Sequence, residues 1–292
     1  MSLVVAIRTN KWTVNEQRVF DQLRSVLGAD FKVVFHNRPD DLTVPLDCVD
    51  INNSVIQSMG LRPVSDWGWR CGDYAYYALR NAYPEYDHYM LVEPDVYFSG
   101  QPKLFFDQIA AIDDDVVGLK IGDFDRNHIF ARRLGEVAPK RAIFAMTRFS
   151  GAALDYAYKQ RQAYSKENIP ERAYANDELF MFSYLLAAGM FRVADLMIVA
   201  PDWFVDVQFD TAPDLLVEHV EIDFISQNKI LHPVVDREFF KKALAKRMVG
   251  RTGVLAQSRR ELNTMTSVEL DEIADIARAQ LREHLRAFEA RN

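Results

Sequence analysis

Apolar and polar positions along the 292-residue chain fall into two alternating periods. Leu3-Val4-Val5-Ala6-Ile7 is an unbroken apolar run, the pattern of a strand covered on both faces. A polar stretch, Arg8 to Lys11, follows as a loop. Thr13 and Glu16 are spaced as a capping box, and Val19, Phe20, Leu23, Val26 and Leu27 then recur at helical spacing up to Gly28. Lys32 to Phe35 predicts the second strand, so the chain opens as a β-α-β unit. The same reading places a loop over 38–47 and a short strand near 49–51. A helix runs from Asp66 to about Ala82 and is ended by Pro84, before a buried strand at Tyr89 to Val92. Strands at 116–119 and 142–146 bracket a polar excursion of mixed charge, Gly122 to Arg141. Ser150-Gly151 leads into a helix over 152–163, residues 164–176 are irregular, and Asp177 to Ala188 is an apolar helix stopped by Gly189. Short strands are expected near 197–199 and 229–231. Alternation of this kind argues for an α/β fold with a parallel, doubly wound sheet.

The end of the chain differs. Thr266 and Glu269 repeat the capping-box spacing. Leu270, Ile273, Ala277, Leu281, Leu285 and Phe288 form one stripe on a helix whose charges run acidic early and basic late, in keeping with the helix dipole. The division expected is an α/β body over 1–235 and a C-terminal helical extension over 236–292. Three uses are open to the apolar stripe: packing on the body, homodimer formation, or contact with a membrane surface.

Composition narrows the function classes. The net charge of −7 suits a nucleic-acid backbone poorly, so no nucleic-acid partner is expected. Cys48 and Cys71 cannot make a disulfide framework or a zinc cluster, which points to a reducing compartment. A strand beginning at Leu3 leaves no room for a signal peptide. No run approaches the roughly 18 apolar residues of a membrane span, so no transmembrane segment is expected and the reading is cytoplasmic. Dinucleotide, P-loop and esterase-elbow motifs are absent from the sequence.

Candidate chemistry concentrates at Tyr89-Met90-Leu91-Val92-Glu93-Pro94-Asp95. Here an apolar strand runs into two carboxylates at its carboxyl end, where ligands bind in open α/β sheets. Side chains two apart on extended chain share a face, so Glu93 and Asp95 can reach one cation together. Paired carboxylates repel, and a divalent ion with oxygen preference, Mg²⁺ or Mn²⁺, resolves the conflict. The plainer alternative is a strand end with two solvated acids.

This strand-to-acid pattern resembles the D-x-D motif of GT-A glycosyltransferases, with Glu93 in place of the first Asp. The resemblance covers roughly residues 3–235. It implies a Rossmann-like, mostly parallel sheet flanked by helices and a hexosyltransferase-like enzyme. The metal would bridge the diphosphate of a nucleotide-sugar donor, and the acceptor would be a glycan or lipid-linked hydroxyl, in polysaccharide assembly by analogy. Arg8 and Thr9 after the first strand, and Arg70 and Asp73 in Trp67-Gly68-Trp69-Arg70-Cys71-Gly72-Asp73-Tyr74, are similar to donor-facing positions of the family. His232, in Ile230-Leu231-His232-Pro233, is similar to a third metal ligand; its bland reading is a turn residue before proline. Asp177 and Glu178 open an apolar helix, either as caps or with one of them as the acid that takes the acceptor's proton. Trp203 is a sugar platform or a core residue. The rival functions are a sugar-nucleotidyltransferase, disfavoured because Arg8-Thr9-Asn10-Lys11 lacks glycine, and a non-catalytic nucleotide- or carbohydrate-binding module.

Overall fold

A computed structural model describes residues 2–209, 214–249 and 265–289. The chain forms two compact units, Met1–Asp236 and Arg237–Asn292. In the first, the elements run β1 (Leu3–Thr9), α1 (Val14–Leu27), β2 (Phe31–His36), β3 (Asp47–Ile51), α2 (Asn53–Ser58), α3 (Trp67–Arg70), α4 (Asp73–Ala82), β4 (His88–Val92), β5 (Tyr97–Phe98) and α5 (Pro102–Ala110). They continue with β6 (Val116–Asp123), β7 (Lys140–Ser150), α6 (Gly151–Ser165), α7 (Asp177–Ala187), β8 (Val193–Asp195), α8 (Leu196–Val199), β9 (Phe204–Phe209), β10 (Leu215–Leu216), α9 (Val217–Asp223), β11 (Ile230–His232) and β12 (Val234–Val235). The second unit holds α10 (Arg237–Val249) and α11 (Ser267–Glu289).

The central sheet has seven strands in the order β3-β2-β1-β4-β7-β6-β8. Its apolar strands are covered on both sides, as their continuous hydrophobicity demands. Period two divides each strand between the layers. Val4 and Ala6 of β1 face α4, α6 and α7 together with Val34 and Leu91. Val5 and Ile7 face α1 and α5 together with Phe35, Met90 and Val92. Each Val, Leu or Ile among them contributes about 1.5–3 kcal/mol on burial. Two smaller sheets, β5-β11-β9 and β10-β12, are built from the later strands.

The sheet is mostly parallel, but β7 runs antiparallel to both β4 and β6. Residues 124–139 join β6 directly to β7 as a hairpin, and a hairpin connection imposes that direction. The helix expected over 66–82 breaks at Cys71, where φ −119° and ψ 56° leave helical space, into α3 and α4. The strand expected at 197–199 is instead the short helix α8. Asp195 caps it by accepting the N–H of Met197 at 2.9 Å, and the strand lies one step earlier at β8. The capping boxes at Thr13/Glu16 and Thr266/Glu269 both form.

Behind the site, Arg161 and Asp73 are both fully buried and joined bidentately, at 2.6 and 3.0 Å. Arg161 also donates to the carbonyl of Ala175 at 3.0 Å and lies 3.6 Å over the Phe180 ring. This pair ties α4, α6 and the start of α7 together. In α11, Leu270, Ile273 and Leu281 are exposed; the side chains of Leu285 and Phe288 lie outside the described residues. Among the described residues no helix is long and apolar enough to cross a membrane.

Removing one partner of a buried pair strands the other charge, at a cost of about 3–5 kcal/mol. Asp73→Ala is therefore expected to lower the unfolding free energy by that amount, read as a fall in the denaturant midpoint at unchanged slope. Adding Arg161→Met to the same chain should recover part of the loss; no recovery would show that the pair is not the cause.

Candidate functional site

The site lies at the carboxyl edge of the central sheet. Parallel register pairs Ile7 with Val92, so Arg8 and Glu93 come next, side by side. Both follow residues of the face covered by α7, namely Ala6 and Leu91, and therefore meet α7 at its first turn. Arg8 Nη2 donates to Glu93 Oε1, and Nη1 donates to Asp177 Oδ2 at 3.1 Å. Asp177 Oδ2 also accepts the backbone N–H of Gly72 at 2.7 Å, and Oδ1 accepts that of Glu178 at 2.8 Å. The Gly72 N–H is available because α4 begins there, and the first N–H groups of a helix have no partner within it. A Cβ at position 72 would fall on Arg8 Nη1 and Asp177 Oδ2, so any larger residue there would displace this pair.

One guanidinium thus serves two carboxylates. Burial would raise Glu93, but Arg8 and then His232 outweigh it and hold the carboxyl at about 2. At Asp177 burial wins over the opposing charge of Arg8 and pushes the carboxyl up to about 7. Glu178 is raised by burial and next by the charge of Glu93. His36, at the end of β2, has its ring 5.4 Å from that of Trp67. Burial first, and then Arg8, depress it to about 4, leaving a neutral imidazole at pH 7.

The second half of the site comes from the small sheet. Antiparallel pairing of β5 with β11 sets Ile230 opposite Phe98 and Leu231 opposite Tyr97, which carries His232 toward the turn holding Asp95. The His232–Pro233 bond is cis. His232 Nε2 lies 3.5 Å from Asp95 Oδ1 and 3.8 Å from Glu93 Oε2. Burial alone would lower the imidazole, but its interactions with Asp95 and Glu93 lift it to about 10. Glu93, Asp95 and His232 each offer one ligand atom, all within 4.8 Å of one another. Two carboxylate oxygens and one imidazole nitrogen are donors that a divalent ion such as Mg²⁺ or Mn²⁺ accepts, so the chemistry of the set fits such an ion.

The structure therefore brings together Arg8, Glu93, Asp95, Asp177, Glu178 and His232. It places three other sequence candidates elsewhere. Thr9, next to Arg8, necessarily faces the opposite layer, where its hydroxyl bonds Glu16 Oε1 and the Lys11 carbonyl, each at 2.7 Å. Arg70 pairs with Asp66 at 2.8 Å, donates to the Glu171 carbonyl and covers Phe130. Asp73 is sealed against Arg161. Trp203 is buried against Phe105, with its N–H on Gln108 Oε1 at 3.1 Å, and is a core residue. Sequence reasoning missed Gly72 and His36. The break after Trp69-Arg70 and the end position of β2 were the signals for them.

No family model and no curated protein matches this sequence. The solved structures it is similar to include a glycosyltransferase involved in the glycosylation of the major capsid of PBCV-1, at 9% identity over 83% of this chain and 99% of that chain, with a TM-score of 0.41. Mouse xyloside xylosyltransferase 1 follows at 11% identity over 79% and 96%, with a TM-score of 0.39. A 2-C-methyl-D-erythritol 4-phosphate cytidylyltransferase from Thermus thermophilus gives 11%, 66% and 87%, with a TM-score of 0.35. Two of these three are glycosyltransferases and the third a cytidylyltransferase, and the likeness is one of chain path alone.

Asp177 titrates near 7 when folded and near 3.8 when unfolded. Between these values the folded chain holds a proton that the unfolded chain has lost. Its contribution to stability is present below the lower value and lost as pH rises through about 7, by up to about 1.4 kcal/mol per pH unit. Asp177→Asn cannot titrate. Relative to wild type it should be more stable at pH 7.5 than at pH 4.5 in urea denaturation, and an unchanged difference would refute the assignment.

Proposed function

We propose that this chain is a metal-dependent glycosyltransferase that moves a sugar from a nucleoside-diphosphate donor to a hydroxyl of a glycan or lipid-linked acceptor. The observation that supports it best is the convergence of Glu93, Asp95 and His232 beside two acids of raised pKa, Asp177 and Glu178. Glu93, Asp95 and His232 would hold Mn²⁺ or Mg²⁺, and the bound ion would offset charge on the departing diphosphate. Arg8 supplies a fixed positive charge to the same phosphates. Thr9, Arg70 and Asp73 brace the surrounding loops in this scheme.

Between the two acids, access favours Glu178. Asp177 is 4% exposed and already holds Arg8 and Gly72. Glu178 is partly exposed, so an acceptor hydroxyl can reach it. Glu178 is therefore the base that takes the acceptor proton, and Asp177 orients Arg8. A raised carboxyl is a stronger base once ionised. A cytoplasmic location is part of this reading and is supported by two free cysteines, Cys48 and Cys71.

One observation favours a second reading, transfer without a metal. Arg8 already pairs with Glu93, and His232 faces both acids, so side chains alone balance the charge. Turnover of nucleotide-sugars by chelator-treated protein separates the two readings.

A thermal-shift screen of nucleoside diphosphates should show a rise in melting temperature that needs Mn²⁺, because a ligand of the native state stabilises it. Asp95→Asn should abolish the Mn²⁺-dependent rise and the transfer while leaving the unliganded melt in place. Glu178→Gln should lower kcat roughly 10²–10⁴-fold with nucleotide binding retained. Release of pyrophosphate from a nucleoside triphosphate and a sugar phosphate would replace this proposal with a nucleotidyltransferase. Nucleotide binding without turnover would leave a binding module.

A further inference from the structure

Two separate turns carry the three candidate ligands. Glu93-Pro94-Asp95 leaves β4, and His232-Pro233-Val234 leaves β11. They are joined by one backbone hydrogen bond, from the Val234 N–H to the Asp95 carbonyl at 2.7 Å. A second connection comes from α1. Arg18 Nη2 donates to the Val234 carbonyl at 2.7 Å and to the Pro94 carbonyl at 3.4 Å. One nitrogen thus touches both turns. The guanidinium lies 5.7 Å over the Tyr97 ring, and its Nε has no hydrogen-bond partner among the described residues.

Gln22, one helical turn further along α1, grips the same strand. It donates to the Phe98 carbonyl at 3.0 Å and accepts the Phe98 N–H at 3.3 Å. Side chains four apart share a helix face, so α1 presents a two-residue clamp to the segment just beyond Asp95. The helix is anchored at its own start by the capping box of Thr13 and Glu16, and Glu16 also accepts from Thr9 at the end of β1.

We propose that Arg18 is a positioning residue for the cation: by bonding Pro94 and Val234 at once, it holds the two ligand-bearing turns at the separation a divalent ion needs. This rests on the metal reading of Glu93, Asp95 and His232. Arg18 touches none of the three ligand side chains through these bonds; it acts through the backbone that carries them. Residues that orient metal ligands change affinity by about 10–100-fold when removed.

The sign of the effect separates positioning from simple electrostatics. The charged groups facing Arg18 are Asp95, Glu221 and Asp236, with Tyr97 beside them. A positive charge near a cation site repels the cation, so its loss would tighten Mn²⁺ binding if Coulomb forces alone mattered. Loss of a clamp does the opposite. Arg18→Met keeps an apolar stem and removes every donor. Arg18→Lys keeps the charge, but its ammonium falls one bond short of the Nη2 position and cannot reach both carbonyls.

The test is the Mn²⁺ dissociation constant of the full chain, read from the free-ion signal in electron paramagnetic resonance, at a temperature where each metal-free variant is folded by circular dichroism. Arg18→Met should weaken binding about tenfold or more, and Arg18→Lys by a smaller factor. A merely structural role would lower the metal-free melting temperature and leave the constant where it was. If Arg18→Met does not fold, Arg18→Lys decides alone. Variants that bind within about twofold of wild type, or more tightly, overturn the clamp while leaving the metal reading in place. A wild-type chain that takes up no Mn²⁺ overturns both.

Discussion

The guanidinium of Arg8 is the interaction on which the functional edge depends. It is buried between a carboxylate that ends a sheet strand and another that begins a helix, Glu93 and Asp177. Buried charge must be paired, yet a single positive group cannot fully balance two negative ones. The imbalance is settled unequally. Glu93 stays ionised, and Asp177 is left near neutrality. Burial first, and this charge second, keep His36 deprotonated, and a side chain at position 72 would displace Arg8 and Asp177. Four residues from four segments, Glu93, Asp177, His36 and Gly72, thus lie within reach of one cation of the chain.

Around it, two layers of organisation meet. The central sheet fixes Arg8 and Glu93 by register, which is as rigid as the hydrogen-bond ladder itself. The small sheet brings His232 by a strand that pairs with β5 just beyond Asp95. The acid pair thus sits at the seam between a rigid sheet and a short one, with α1 spanning both through Glu16, Arg18 and Gln22. The buried Arg161–Asp73 pair does the corresponding work on the other side, setting α4 and α7 at the spacing that lets Gly72 reach Asp177.

Much of this was legible in the residues. Continuous apolar runs gave the strands, and both capping boxes gave helix starts, because these signals are local. Glu93, Asp95 and His232 stood out because acids and an imidazole appeared where apolar strands stop. The direction of β7 was not legible, since a strand buried on both faces reads the same either way. Residues 197–199 misled for a related reason: three apolar residues suit a strand or a helical turn, and the capping oxygen of Asp195 decided it. The facing of Thr9 could have been read from period two, given Arg8. The partners of Arg18 lie 76 and 216 positions away, and those of Gly72 and Asp73 are as distant. No local pattern encodes such pairings.

The reversed strand carries a further consequence. Because β7 runs against β4 and β6, its amino end arrives at the edge where Glu93 stands, and the 124–139 connection hangs there too. Surface connections accept changes of length more readily than the ladders they join. Ala131 and Leu134 anchor the hairpin in the core, so changes of length fall to its exposed stretches, where the strands keep their register. What covers the edge is thereby held by two buried contacts, apart from the ladder that fixes Glu93 beneath it.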